Sequence, residues 1–331
     1  MRKPLGVTCG DAGGIGIECF LKAMTTSHES WPIRLYAQPD HLIAVSETLE
    51  GEAAALGRKL ATAGEVGEIQ LIPLDNLERP KPIPGVWNPA WKSVAWDALE
   101  LSIQEAKTSI TSGVVTLPIT KRIVTWENES FPGQTELFAT RCDAENYAMM
   151  LAAPELRVVP VTTHIPLAQV SASLTTESIE RVIRLTHKTL KERFGLPQPT
   201  IAVCGLNPHA GESGLLGSEE ETVISPAVRT CGDLEGKILG PIAADTLFPL
   251  AKSMGVDGII AMYHDQGLAP FKTLYFDTGV NTTIGLSVIR TSPDHGVAYG
   301  ISGTNTANPM STLCAVQMAW DCAQSYKRFR G

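Results

Sequence analysis

The sequence predicts an α/β protein with a largely parallel sheet. Short apolar runs alternate with segments of helical periodicity along the chain, which is the pattern of strands joined by crossover helices. The length of 331 residues exceeds the size at which one hydrophobic core stops growing, so two domains are expected. A hydrophobic content of 44% supplies enough apolar mass for two cores.

Eight apolar runs have the length and composition of buried strands. They are Leu5–Cys9, Ile33–Tyr36, Ile69–Leu74, Val114–Leu117, Val158–Thr162, Ile201–Cys204, Gly258–Met262 and Thr283–Ile289. The clearest helix spans Glu177–Phe194, and Thr176 can cap its start. Its apolar face comprises Ile179, Val182, Ile183, Thr186 and Leu190. A second helix is expected at the C-terminus, where Asn308 caps it and Pro309 opens it.

The charge and the cysteines narrow the class of protein. The formal net charge is −8 and no basic run offsets it, so nucleic-acid binding is not expected. The seven cysteines are odd in number and form no C-x-x-C pair, which is typical of a reducing compartment. The N-terminus lacks the apolar region of a signal peptide, and no stretch reaches membrane-spanning length. We therefore expect a soluble cytoplasmic protein with no membrane partner.

Three histidines follow predicted strands in the same topological position. His164, His209 and His264 come after the fifth, sixth and seventh of the apolar runs. If these strands are parallel neighbours, their C-terminal ends share an edge, where open α/β sheets bind ligands. Three imidazoles with open positions are typical of a catalytic metal site. A single histidine after a strand is more often an ordinary loop residue, so the metal prediction depends on the three strands being neighbours.

Carboxylates accompany these histidines. Asp265 follows His264 directly, Glu212 lies three residues beyond His209, and Asp245 precedes the Thr-Leu-Phe segment. Each is a candidate for a group that orients an imidazole, a metal ligand or a general base. For Glu212, a solvated loop charge is an equally good interpretation.

Polar donors follow the third histidine in the order Lys272, Asn281 and Arg290. Arg290 ends an apolar run, and burying a guanidinium is costly unless it finds a partner. The planar fork of an arginine, with a lysine nearby, suits a phosphate or a carboxylate. Each residue alone fits an ordinary salt bridge, but together they favour an anionic substrate.

Two glycine-rich segments are candidates for a cofactor loop. Cys9–Glu18 opens a strand–loop–helix unit, but its glycines miss the G-x-G-x-x-G spacing of a dinucleotide fingerprint. The segment 290–309 offers small residues and the start of the last helix, which suit phosphate or ribose groups. Its candidate cofactor residues are Ser292, Asp294, His295, Gly296 and Asn308.

Both segments resemble known dehydrogenases. Cys9–Glu18 is similar to the Gly-Asp-Gly-Ile-Gly-Pro-Glu opening of the isocitrate and isopropylmalate dehydrogenases, and 290–309 is similar to their cofactor loop. The sequence more closely resembles the 4-hydroxythreonine-4-phosphate dehydrogenase family of pyridoxal phosphate biosynthesis. The resembling blocks are Thr8–Glu18, Leu117–Lys121, Phe131–Phe138, Leu156–Leu167, Cys204–Glu212, Ala244–Phe248, Ala261–Lys272 and Gly279–Gly296.

The resemblance implies two α/β/α domains with an active-site cleft between them, 1–140 with 292–331 and 141–291. It implies that the three histidines bind one divalent cation per subunit (zinc, magnesium or cobalt). His264 would reach into the neighbouring subunit's site of a homodimer. It also implies an NAD or NADP cofactor, and a substrate held by Gln134 and Thr135 together with Lys272, Asn281 and Arg290.

The implied reaction oxidises and decarboxylates 4-hydroxythreonine 4-phosphate to 3-amino-2-oxopropyl phosphate. The cation would polarise the substrate hydroxyl while a base removes its proton and hydride passes to NAD. Lys121 and Asp265 are both candidates for that base.

One position departs from the family motif. The family has Gly-His-Thr-Glu, whereas this chain has Gly133-Gln-Thr-Glu136. Gln134 cannot become cationic, so it offers an anionic group less charge assistance. Threonate phosphate, erythronate phosphate or a cyclic diol dicarboxylate are therefore alternative substrates. A His-ligated metallohydrolase of phosphorylated metabolites and an inactive relative that senses a metabolite are the competing functions.

Overall fold

The structure, a computed structural model, describes residues 2–126 and 129–330. The predicted α/β class is confirmed, because strands alternate with helices throughout these ranges. The strands are β1 (Leu5–Thr8), β2 (Ile33–Tyr36), β3 (Glu65–Val66), β4 (Ile69–Ile72), β5 (Gly113–Val115), β6 (Thr125–Trp126), β7 (Glu129–Ser130), β8 (Ala148–Ala152), β9 (Arg157–Pro160), β10 (Thr200–Cys204), β11 (Lys237–Ile242), β12 (Gly258–Ala261), β13 (Val280–Ile284) and β14 (Arg290–Pro293). The α-helices are α1 (Gly16–Thr26), α2 (Pro39–Ser46), α3 (Gly51–Ala63), α4 (Lys92–Lys107), α5 (Gln134–Arg141), α6 (Val170–Ser173), α7 (Thr176–Glu192), α8 (Ser225–Thr230), α9 (Ala244–Leu250), α10 (His264–Tyr275) and α11 (Met310–Arg330).

The backbone forms two compact units. The first unit comprises Met1–Glu145 and Leu286–Ala323, and the second comprises Asn146–Gly285 and Gln324–Gly331. The domain bounds implied by the family resemblance differ from these bounds by a few residues and stay a prediction.

In the first unit, the strands lie in the order β14-β5-β1-β2-β4-β3. All neighbouring pairs run parallel except β3 with β4. The central strand β1 is buried along its whole length, with Leu5 and Val7 fully inaccessible. Strands that are buried on both faces have near-continuous apolar sequences, which explains why this strand is readable from the sequence.

In the second unit, the order is β11-β10-β12-β9-β8-β13. The first four of these strands run parallel to one another, and β8 and β13 are antiparallel to their neighbours. Strand β12 therefore lies between β10 and β9. Their buried side chains, including Ala202, Ile259 and Val158, pack with Leu268 and Phe271 of α10 in one core.

The predicted strand Thr283–Ile289 is wrong. Strand β13 ends at Ile284 and β14 begins at Arg290, so most of the predicted run is a connection. Gly285 breaks the strand: its φ is +92°, and a Cβ there would lie 2.1 Å from the Asn146 carbonyl oxygen. Because Leu286, Val288 and Ile289 are nevertheless buried, their composition alone suggested a strand.

Helix α7 has the predicted apolar face but a different cap. Ile179, Val182, Ile183, Thr186 and Leu190 are all buried, so the predicted periodicity is confirmed. The cap is Thr175 rather than Thr176. The Thr175 hydroxyl accepts from the Ser178 N–H at 3.0 Å, and Ser178 accepts in return from the Thr175 N–H at 3.1 Å. This reciprocal pair requires the three-residue spacing that Thr175 has to Ser178.

The C-terminal helix begins at Met310, whose N–H donates to Asn308 Oδ1 at 3.0 Å. Asn308 thus accepts from the first N–H of the helix, as predicted for a capping side chain, and Pro309 lies directly before the first helical residue. Over residues 2–126 and 129–330, no helix has both the length and the apolar character needed to cross a bilayer.

The core of the first unit contains a histidine that makes no side-chain hydrogen bond to any described residue. His41 is fully buried on α2, packs against Trp91 with ring centroids 5.7 Å apart, and has no hydrogen-bond partner at either ring nitrogen within the described structure. Burial lowers the pKa of His41 from 6.5 to about 4. The unfolded chain therefore binds this proton at a higher pH than the folded chain, and the folded state loses stability as the pH falls from 6.5 toward 4.

We expect this loss to appear as a difference between wild type and His41→Leu. Lowering the pH from about 7.5 to about 5 should reduce the free energy of unfolding of the wild type by about 2 kcal/mol more than that of His41→Leu. Urea unfolding at the two pH values measures it, with His28→Leu, an exposed histidine, as the control. Equal pH dependence in wild type and His41→Leu would show that His41 is not the responsible group.

Candidate active site

The three predicted histidines follow three neighbouring strands. His164 lies four residues after β9, His209 lies five residues after β10, and His264 is the first residue of α10, directly beyond β12. Since β9, β12 and β10 are adjacent and parallel, their C-terminal ends lie at one edge of the second unit's sheet. The topological premise of the metal prediction is thus present.

Within one chain, two of the three imidazoles come together. The ring centroids of His164 and His264 lie 5.9 Å apart. Over the described parts of the chain, no group of three His, Cys, Asp or Glu side chains is arranged to hold a metal ion. Among the described residues of one chain, His164 and His264 therefore form a pair of imidazoles that no third side chain of this kind completes.

Asp265 contacts the imidazole of its neighbour in the chain. His264 Nδ1 lies 2.6 Å from Asp265 Oδ1. A carboxylate on one ring nitrogen fixes the ring orientation and leaves the other nitrogen available as a ligand. This contact favours the orienting role among those that the sequence left open for Asp265.

His209 lies in a strained loop. The φ angles of His209, Ala210, Glu212 and Ser213 are +53°, +51°, +45° and +56°. Non-glycine residues rarely adopt this left-handed region, and such strain clusters at functional sites. Glu212 is exposed on this loop, which agrees with its interpretation as a solvated charge.

The predicted anion-binding residues of the first unit are organised around Arg290. Its guanidinium is 4% exposed and donates to Thr116 Oγ1 from Nε at 3.0 Å and from Nη2 at 2.8 Å. It also donates to Thr135 Oγ1 and to Gln134 Oε1, both at 3.3 Å. Burial lowers the pKa of Arg290 to about 10, and the charge of Glu136 opposes this shift, so the cation persists at neutral pH.

Most donors of Arg290 are thus engaged by the protein, and two of the acceptors, Gln134 and Thr135, are half-buried. The Gln134 amide accepts from Arg290 and donates from Nε2 to the Leu117 carbonyl at 3.2 Å. Both the oxygen and the nitrogen of this amide are therefore hydrogen-bonded. These two bonds explain how glutamine fits the position at which the family has histidine. Thr116 was missed in the sequence, although a polar residue inside the apolar run Val114–Leu117 was a visible signal.

Lys272 and Asn281 belong to the second unit. Lys272 lies on α10 and is half-buried. Asn281 lies on β13 opposite Leu151, and its buried Oδ1 has no hydrogen-bond partner among the described residues. A buried acceptor without a partner is costly, and a ligand donor would satisfy it.

The predicted cofactor residues surround the start of α11. The Asp294 N–H donates to Ser311 Oγ at 2.8 Å, and the His295 ring lies between the Gly296 carbonyl at 3.0 Å and Thr312 Oγ1 at 3.4 Å. Burial lowers the pKa of His295. Gly296 is exposed, and a Cβ there would meet nothing within 4 Å.

Two of these residues have structural contacts of their own. Ser292 is buried, and its hydroxyl donates to the Pro293 carbonyl at 3.2 Å. Asn308 is exposed but caps α11. Gly296 and His295 are therefore better placed to meet a cofactor than Ser292.

The first glycine-rich segment does not form an open cradle. A Cβ on Gly13 would lie 2.2 Å from the Val86 carbonyl oxygen, and one on Gly14 would lie 3.0 Å from that of Val297. These glycines are needed for close approach of the chain's own backbone, so the segment is a packing element rather than a phosphate loop.

Lys121 lies exposed in the turn after β5. Its neighbour Thr120 donates to Asp11 Oδ2 at 3.2 Å, and Tyr299 donates to the same oxygen at 2.8 Å. Asp11 is 2% exposed and thereby holds the Lys121 turn in place. Asp11 was not singled out in the sequence, although it lies within the recognised block Thr8–Glu18.

Comparisons with known proteins agree with the sequence motifs. The family model of the pyridoxal phosphate biosynthetic protein PdxA matches residues 31–319. A 4-hydroxythreonine-4-phosphate dehydrogenase of Desulforapulum autotrophicum is 39% identical, with 96% of this chain and 95% of that protein covered. A protein of Oceanobacillus iheyensis, provisionally named D-threonate 4-phosphate dehydrogenase, is 37% identical, with 97% of this chain and 98% of that protein covered.

A solved structure has the same fold. The crystal structure of 4-hydroxythreonine-4-phosphate dehydrogenase from Klebsiella pneumoniae has a TM-score of 0.81 at 32% identity, covering 98% of this chain and 99% of that one. The resemblance that was read from the motifs is confirmed. The chain is an oxidoreductase that belongs to the family of the pyridoxal phosphate biosynthetic protein PdxA.

Proposed function

We propose that this chain is an NAD-dependent 4-hydroxythreonine-4-phosphate dehydrogenase that produces 3-amino-2-oxopropyl phosphate for pyridoxal phosphate biosynthesis. The observation that carries the proposal is the adjacency of β9, β12 and β10, whose C-terminal ends lead to three imidazoles. The buried Arg290 with Gln134 and Thr135 supports an anionic substrate. Action in the cytoplasm agrees with seven free cysteines, six of them buried.

The imidazoles are suited to a divalent cation of the zinc or cobalt type, which prefer nitrogen ligands more than magnesium does. We infer that His164 and His264 of one subunit bind it together with His209 of the partner subunit. The 5.9 Å separation of the first two rings within one chain supports this arrangement. It differs from the arrangement implied by the family resemblance, in which His264 is the residue that crosses to the other subunit.

A cation held by the imidazoles would polarise the substrate hydroxyl, a bound nicotinamide would take up the hydride, and the resulting β-keto acid would lose carbon dioxide to give the product. The residues of the chain position the substrate and move its proton. Arg290 provides a fixed positive charge for the anionic group of the substrate. Its hydrogen bonds hold Gln134 and Thr135 next to that group. Because Asp265 is engaged with His264, Lys121 is our candidate for the base that takes the hydroxyl proton. We infer that His295 and Gly296 contact the cofactor.

A direct assay tests the function. Purified protein is incubated with NAD, cobalt or zinc and 4-hydroxythreonine 4-phosphate, and NADH is followed by absorbance. We expect NADH formation that depends on both the cation and the substrate. Absence of NADH with this substrate and with threonate and erythronate phosphates would overturn the dehydrogenase proposal, and phosphate release without NAD would identify a hydrolase.

The same assay decides between related substrates. Gln134 gives less charge assistance than the family histidine, and the Oceanobacillus relative is named for a threonate phosphate. We expect 4-hydroxythreonine 4-phosphate to have the highest kcat/KM of the three acids. A higher value for threonate phosphate would move the proposal to that substrate without changing the chemistry.

A further inference from the structure

Gln266 connects two of the loops that carry histidines. It lies on the first turn of α10, two residues after His264. Its Oε1 accepts from the Met262 N–H at 2.6 Å, and its Nε2 donates to the Gly205 carbonyl at 2.7 Å. One amide therefore joins the turn after β12 to the end of β10, where the loop of His209 begins.

The same turn is joined to the third loop through the Met262 carbonyl. That oxygen accepts from the Thr162 hydroxyl at 2.8 Å and from the Thr162 N–H at 3.3 Å. Thr162 lies two residues before His164. Both backbone polar groups of Met262 are thus used: the carbonyl accepts from Thr162 beyond β9, and the N–H donates to the Gln266 amide, whose other end reaches Gly205 beyond β10.

The loop of His209 is held from its other side by a buried carboxylate. Glu220 is 3% exposed, and its Oε1 accepts from the Leu206 and Asn207 N–H groups at 2.8 and 2.7 Å. Its Oε2 accepts from Asn207 Nδ2 at 3.0 Å. The hydrogen bond from Gln266 to Gly205 therefore ends beside a segment that Glu220 holds in place. For this reason the bond can fix the distance between the loop of His264 and the loop of His209.

We propose that Gln266 is a positioning residue for the imidazole set. In this role it would act through the loops rather than by contact with cation or substrate, because it fixes the turn of His264 against the strand ends that lead to His209 and His164. Metal ligands tolerate displacements of only a fraction of an ångström, and loss of an outer partner typically lowers cation affinity about 10- to 100-fold. This inference rests on the proposed imidazole site.

The test measures cation affinity rather than turnover. Cobalt(II) is titrated calorimetrically into metal-free wild type, Gln266→Met and Gln38→Met. Gln38 is a matched control, because its buried amide also donates to a backbone carbonyl, that of Asp75 at 3.0 Å, in the first unit. We expect cobalt affinity to fall about tenfold or more in Gln266→Met and to equal the wild-type value in Gln38→Met, although both variants lose a partly buried hydrogen bond.

Equal cobalt affinity in wild type and Gln266→Met would overturn the positioning role. Should Gln266→Met fail to show a cooperative melt, Gln266→Asn decides in the same way, since its amide is too short to bridge Met262 and Gly205. If wild type itself binds no cobalt, the proposed imidazole site fails, whereas the NADH assay tests the dehydrogenase proposal separately.

Discussion

Replacing Arg290 by lysine is expected to lower kcat/KM for the phosphorylated substrate about 100-fold, mainly through a higher KM. The guanidinium holds Thr116, Thr135 and Gln134 at once, and an ammonium cannot reproduce a planar fork. Burial lowers the pKa of Arg290 to about 10 and leaves it charged. The same burial would lower the pKa of a lysine from an already lower starting value, so the ammonium would keep its charge over a narrower pH range than the guanidinium does.

The matched control is Arg141→Lys in the same unit. Arg141 donates to Glu100 from Nε at 2.9 Å and from Nη2 at 2.7 Å, but this ion pair is partly exposed. Exposed ion pairs contribute little, so kinetic constants should stay within about twofold of wild type. An unchanged KM in Arg290→Lys, with only a lower melting temperature, would assign Arg290 a structural role and remove it from the substrate site.

Much of the fold was readable because its strands are buried on both faces. Leu5–Thr8 and Gly258–Ala261 are buried at every position, so the sequence at each is a continuous apolar run. The same reasoning failed at Thr283–Ile289, because buried connections are also apolar. The signal that ends β13 is Gly285, whose requirement for a positive φ depends on the approach of Asn146 from a distant part of the chain.

The candidate site was predictable to the extent that it follows from topology. Parallel strands end at one edge of a sheet, and this rule predicts His164, His209 and His264 at neighbouring strand ends. The observed strand order has the three strands that precede them as neighbours. Thr116, Gln266 and Glu220 could not be found in the same way. Thr116 meets a guanidinium 174 positions away and Gln266 meets a carbonyl 61 positions away, and such pairings are set by the tertiary fold alone.

Replacing any one of the three histidines by alanine is expected to lower activity more than about 100-fold, since loss of a ligand exceeds the usual effect of losing its outer partner. Dehydrogenase activity and cobalt affinity of His164→Ala, His209→Ala and His264→Ala measure this. His187→Ala is the control, because His187 lies on α7 and contacts the Glu235 carbonyl at 2.7 Å. Full activity in any of the three variants would remove that histidine from the metal site.

Mixed dimers then show which subunit supplies each ligand. Suppose that His164 and His264 of each site come from one chain and His209 from the other. A dimer of one His164→Ala chain and one His209→Ala chain then contains one site with both defects and one intact site. Such a dimer, isolated with two different tags, should recover about half of the wild-type activity, because a two-fold dimer has two equivalent sites. Pairing His164→Ala with His264→Ala should recover none, since each site then keeps one defect.

The opposite pattern would have a definite meaning. Recovery from His164→Ala with His264→Ala, and none from His164→Ala with His209→Ala, would place His264 in the partner's site despite its 5.9 Å separation from His164 within the chain. Recovery from no pair would mean that each site takes all its imidazoles from one chain, and the shared site would be wrong. Because a lone chain brings together only two of these rings in its described part, we expect complementation through His209.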